Sequence, residues 1–162
     1  MAIRLKPRVI PTVEFRAVLP EEFGPGGECF IEIDARAAGP MNGPFVMAVE
    51  AAIQRHRIGM RKLSKTDDDA AYVAADRKLA DATTRARLMA LYDHCIIEWR
   101  SNIQVLDDKD NAQDITCDRE SFLDMADMRG VPEIVGSLAD FEAACMEAGK
   151  MASEDDEATV KN

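Results

Sequence analysis

Two short stretches near the start of the chain alternate apolar and polar residues in step, and no other feature constrains the fold as much. From residue 13 to 19 the apolar positions are Val13, Phe15, Ala17 and Leu19, with Glu14 and Arg16 between them. From residue 29 to 35 they are Cys29, Ile31, Ile33 and Ala35, with Glu32 and Asp34 between. A period of two places successive side chains on opposite faces of an extended backbone, so each stretch reads as a half-buried strand. Residues 20–27 are rich in Gly and Pro and read as a turn. Together the strands predict a β-hairpin with one apolar face. A lone hairpin is marginal in water, so that face needs cover from helices or from another chain.

Past the linker of residues 36–44 the period changes. Val46, Val49, Ile53 and Met60 mark one helical face, and Gly59 is the expected stop. Thr66-Asp67-Asp68-Asp69 is a helix start: Thr66 can cap, and the carboxylates suit the positive first turn. No Pro or Gly follows as far as Ser101. Tyr72, Ala75, Leu79, Ala82, Ala86 and Met89 form one stripe; Leu88, Leu91, Tyr92, Cys95 and Trp99 form a second. The pattern predicts a helix that bends or divides near residue 85, its small residues admitting a close neighbour. Residues 103–116 read as a polar loop or short hairpin. Thr116 or Asp118 can cap a helix carrying Phe122, Leu123, Met125 and Ala126, with Arg129-Gly130 as its end. Pro132 suits the first turn of a last helix bearing Ile134, Val135, Leu138, Phe141 and Cys145. From Ser153 onward there is no packing face, and disorder is expected. The predicted class is therefore α+β. A strand pair and linker occupy residues 1–44, a mostly helical domain of four or five helices residues 45–152, and a disordered acidic tail residues 153–162.

Charge narrows the function. The 162 residues carry 20 Lys+Arg against 30 Asp+Glu. Residues 1–44 have a net charge of −1, residues 45–104 of +2 and residues 105–162 of −11. Such a final third repels a phosphate backbone, so nucleic acid is not an expected partner. The longest uncharged stretch, residues 37–49, contains two Gly and two Pro and is too short to span a bilayer, and no secretion signal is evident. Cys29, Cys95, Cys117 and Cys145 are widely spaced, which fits free thiols in a reducing cytosol better than disulfides or a zinc site.

No motif names a chemistry. A calcium loop starting at Asp108 would require an acid or Asn, a Gly and a Glu where Ala112, Gln113 and Arg119 stand. Gly24-Pro25-Gly26-Gly27 lacks the Lys-Ser/Thr and the helix that a phosphate cradle needs. His94 and Cys95 are adjacent, and adjacent residues of a helix do not face each other. His56 reads as structural or surface, and no carboxylate pair stands out for acid–base work. Neither catalysis, a cofactor nor a metal is expected.

One longer arrangement does carry a resemblance. Ile96-Ile97-Glu98-Trp99 closes a helix; an acidic turn, Asp107-Asp108-Lys109-Asp110, follows; then come Ile115-Thr116-Cys117-Asp118-Arg119-Glu120, Phe122-Leu123 and Val131-Pro132-Glu133-Ile134. Over residues 12–150 this resembles the phage tail assembly chaperones of tailed phages and alphaproteobacterial prophage-like elements. It departs from them at Asn111-Ala112-Gln113-Asp114, where a Gly-containing turn is more usual. The resemblance implies a non-catalytic protein of the bacterial host cytoplasm that coats the helical tape-measure protein before the tail tube polymerises. The tail tube protein and further copies of the chain are additional candidate partners. On this reading Ile97, Trp99, Phe122, Leu123, Ile134 and Leu138 line or support the client groove. The competing readings are a structural piece of the tail or head–tail connector and an acidic DNA-mimic inhibitor of a host protein.

Overall fold

A computed structural model describes residues 9–63, 68–128 and 130–160. The alternating stretches form β1 (Thr12–Leu19) and β2 (Cys29–Arg36), paired antiparallel in one unbroken register from Thr12 opposite Arg36 to Leu19 opposite Cys29. Their connection contains a single 3-10 turn, Glu21–Phe23, and two glycines at positive φ, Gly26 (99°) and Gly27 (85°), where a side chain would be strained. The chain continues through α1 (Gly43–Leu63) and α2 (Asp69–His94) to a third strand, β3 (Ile96–Ser101). A short hairpin of β4 (Gln104–Leu106) and β5 (Ala112–Asp114) leads to α3 (Arg119–Asp127) and α4 (Pro132–Val160). The main sheet has the order β1-β2-β3. The expected α+β class, hairpin first and helices after, is the class observed, with four helices among the described residues.

Sequence and structure part at β3. The helix expected to run to Trp99 ends at His94, and residues 96–101 pair antiparallel with β2. The register slips between Asp34 and Ala35, so that Ile96 lies opposite Ala35, Glu98 lies opposite Asp34, and Ile97 is the extra residue of a β-bulge. That bulge destroys the period-two signal. It also leaves Leu91, Cys95 and Trp99 at helical spacing, which is why the segment imitates a helix. Two smaller expectations are corrected as well. Gly59 does not stop α1, which continues to Leu63, and of the two alternatives near residue 85 the division is excluded, α2 being one helix from Asp69 to His94. The Thr66 cap falls outside the described residues; Asp68 caps α2 instead, accepting hydrogen bonds from the N–H groups of Ala70 and Ala71.

The inner face of the sheet is the core. Ile31, Ile33, Ala35 and Trp99 are buried on it, and α4 lies across it with Ile134, Leu138, Phe141 and Cys145 inward. Phe15 meets Phe141 at 5.6 Å between ring centroids, and Trp99 meets Phe122 of α3 edge-on at 6.1 Å. Buried Asn42 ties the linker to the body. Its Nδ2 donates to the carbonyls of Ala37 and His94, both at 3.1 Å, and its Oδ1 accepts from the Phe45 N–H that opens α1. Farther along, α4 and the linker approach closely: the Ala38 N–H donates to the Cys145 carbonyl at 3.0 Å, and Gly149 sits directly against Ala38. Past Gly149 the helix has no buried residue from 150 to 154, where the packing face was expected to end, while its backbone remains helical to Val160.

Candidate partner-binding surface

Five of the six residues singled out from the sequence are internal. Trp99, Phe122, Leu123, Ile134 and Leu138 are each at most 5% exposed and belong to one core cluster. They hold α3 and α4 on the sheet and are themselves interior, a position from which they can support a surface but not form one. Ile97 is the exception: as the bulge residue it is turned out to solvent at 57% exposure.

The surface that sequence reasoning missed is the arm formed by α1 and α2. The two helices pack along each other, and only their bases enter the core, through Phe45, Ala52, Ala90 and Leu91. No residue from 53 to 63, and none from 69 to 89, is buried. Arg85 pairs with Asp127 of α3, and Arg87 with Glu142 of α4. Leu88 and Met89 pack against the core from the lower part of α2, and farther out the two helices lie against each other. Leu79 reaches over Gly59, and His56 Nδ1 lies 3.1 Å from Thr83 Oγ1. The small residues Ala75, Ala82 and Ala86 let the helices approach, as their stripe suggested. Eleven helical residues, 53–63, extend about 16 Å at 1.5 Å each.

The arm displays what a core normally hides. Met47, Ile53, Ile58 and Val73 are exposed, with Met47 at 72% and Val73 at 65%. On α1, Met47, Ala51, Gln54 and Ile58 recur at spacings of four, three and four along one exposed stripe. A cleft of about 400 Å³ between the helices near the tip is lined by Gly59, Leu63, Ala75, Leu79 and Ala82, with Lys62 and Lys78 at its rim. Arg55, Arg57, Arg61 and Lys62 stand on α1 against a single acid, Glu50, in a chain whose net charge is −10. Several large apolar side chains left exposed on one element and flanked by charged ones are what an interaction site presents. The periodicity of α1 was visible in the sequence, but which of its faces lacks cover depends on where the other elements lie.

The remaining motifs have structural roles. The Asp107 carboxylate accepts hydrogen bonds from the Lys109 and Asn111 N–H groups, each at 2.8 Å, and from the Asn111 and Gln113 side-chain amides. These bonds hold it below its ordinary range and close the β4–β5 turn, where Asp110 adopts a positive φ of 59°. Burial pushes the Cys95 thiol up to about 12, and burial together with the nearby Cys95 does the same to Cys145. Both are protonated at neutral pH and poor nucleophiles. Among the described residues no three His, Cys, Asp or Glu side chains converge as a metal site would require, and no helix is long and apolar enough to cross a membrane. Comparison of the chain with protein-family models, with curated proteins and with solved structures found no match.

Proposed function

We propose that the chain is a non-catalytic phage tail assembly chaperone. In the host cytoplasm it holds the helical tape-measure protein against the α1–α2 arm until tail tube subunits replace it. The observation that carries the reading is the arm itself, two long helices that have no fully buried residue among those described at 53–63 and 69–89 and that present Met47, Ile53, Ile58 and Val73 to solvent. A client helix laid along α1 covers Met47, Ala51 and Ile58, with Ile53 beside them, by ordinary helix–helix packing, and each aliphatic side chain removed from water contributes about 1.5–3 kcal/mol. Arg55 and Arg57 then meet carboxylates at the client's edge and orient it. The acidic remainder of the chain keeps the loaded complex soluble.

The test is co-expression with the tape-measure protein followed by pull-down. The client is expected to become soluble and to co-purify with the wild type. The double variant Ile53→Asp/Ile58→Asp should lose it while its melting temperature stays near that of the wild type, because both side chains are exposed. A client that is soluble alone and is not captured overturns the proposal. Detection of the chain in finished particles by mass spectrometry would instead make it a virion component.

A further inference from the structure

We propose that the outer edge of β1 is a self-pairing surface. A second copy of this chain adds its own β1 antiparallel to the first about a two-fold axis at Phe15, and the three-stranded sheet becomes six-stranded.

Three observations carry this. First, among the described residues β1 is an edge strand, and it is unblunted in a way β3 is not. It runs eight residues in unbroken register, with no bulge and no internal proline, whereas β3 is kinked by the bulge at Ile97. Long, flat, unpaired edges are templates for another strand unless a device blunts them. Second, cover is incomplete on the core side of that edge. Across the register, Ala35, Ile33 and Ile31 of β2 are at most 1% exposed, while their partners Val13, Phe15 and Ala17 are only half-buried. A neighbouring strand would cover all three.

Third, the charges on the outer face select one register. The sheet carries a row of three acids, Glu14, Asp34 and Glu98, beside a row of Arg16, Glu32 and Arg100. Like charges directly opposite each other are unfavourable, and among the described residues the basic partner of the acidic row is Arg100, 4.0 Å from Asp34 in the middle of the row, so Glu14 at the open edge is the acid that a cation from another strand would meet. Residues opposite one another in an antiparallel pair share a face. With the axis at Phe15, Glu14 of each copy lies opposite Arg16 of the other, and the acidic row of one copy continues into the Arg16-Glu32-Arg100 row of its mate. An axis at Glu14 or at Arg16 would instead set identical charges opposite each other. Arg16 already donates to Glu28 and Glu32 and is half exposed, and a guanidinium with five N–H donors retains some for a third carboxylate.

The experiment is sedimentation velocity on the full chain across a wide concentration range, with circular dichroism to confirm folding. The wild type should sediment as a monomer–dimer equilibrium. Glu14→Arg places Arg beside Asp34 of its own sheet, so the fold is kept, but faces Arg16 of the other copy; the dimer should be lost. Arg16→Glu should lose it too, and decides the matter if Glu14→Arg does not fold. An equimolar mixture of the two variants should regain the dimer, since each strand then meets its opposite. A wild type that is monomeric throughout, a dimer that survives both reversals, or a mixture that stays monomeric overturns the proposal.

Discussion

Gly149 shows how one missing atom positions a helix. A Cβ built there would fall 1.6 Å from the Ala38 carbonyl oxygen, a backbone atom that cannot swing aside. Gly149→Ala should therefore lift α4 off the linker, break the bond from Ala38 N–H to the Cys145 carbonyl, and cost about 3 kcal/mol or more in a denaturant titration. Gly59→Ala is the matched control. Its new Cβ would meet only the branch end of Leu79, which can change rotamer, so the cost should stay below about 1 kcal/mol. Trp99 makes the complementary point. It is 3% exposed, and its indole Nε1 has no hydrogen-bond partner among the described residues. Trp99→Ala should cost about 3–5 kcal/mol as a large core deletion. Trp99→Phe should cost clearly less, because it retains a ring against Phe122 and removes an unsatisfied donor.

Among the elements, α2 and α3 meet through the rings of Tyr92 and Phe122, 5.4 Å apart, and through an ion pair at the surface. Arg119 grips Asp93 through two hydrogen bonds of 2.7 and 2.9 Å. The Arg119 side chain holds the Asp93 carboxyl below the usual carboxylate value, against the opposing effect of desolvation. A carboxyl with a lowered folded-state pKa stabilises the fold above its unfolded value of about 3.9. That contribution disappears as pH falls through the lower, folded value. Thermal melts of the wild type and Asp93→Asn should differ at pH 7 and converge below about pH 4. Both side chains are about two-fifths exposed, so the difference should stay within about 1 kcal/mol. The same junction shows what was legible beforehand. Asp118 was one of two caps expected for α3, and it does accept from the Ser121 N–H at 2.8 Å. The strand β3 that follows α2 was hidden, since a one-residue bulge at Ile97 leaves neither a clean period of two nor a break in the helical spacing.

At the scale of the whole molecule, the fold separates a compact body from an arm. Sheet, α3 and α4 enclose the core, while most of α1 and α2 stands clear of it. The proposed client surface and the proposed dimer edge lie on different elements, so each can be removed without the other. Ile53→Asp/Ile58→Asp should release the client and leave sedimentation unchanged, and Glu14→Arg should do the reverse. If either substitution abolished both properties, the two surfaces could not be independent.

The amino-acid sequence by itself determined the local grammar: strands where apolar residues alternate, helices where they recur at three and four, and starts where Asp118 accepts from a free N–H of a first turn and Pro132 takes a first-turn position that needs no N–H. Those signals are written within a few residues and need no distant partner. Tertiary structure alone decided which apolar residues are interior. Trp99 and Phe122 became core because β3 and α3 meet across the inner face, and Ile97, two residues from Trp99, was turned outward by a bulge. Burial depends on what arrives from elsewhere in the chain, and hydrophobicity at a position is the same whether a side chain fills its own core or waits for another's.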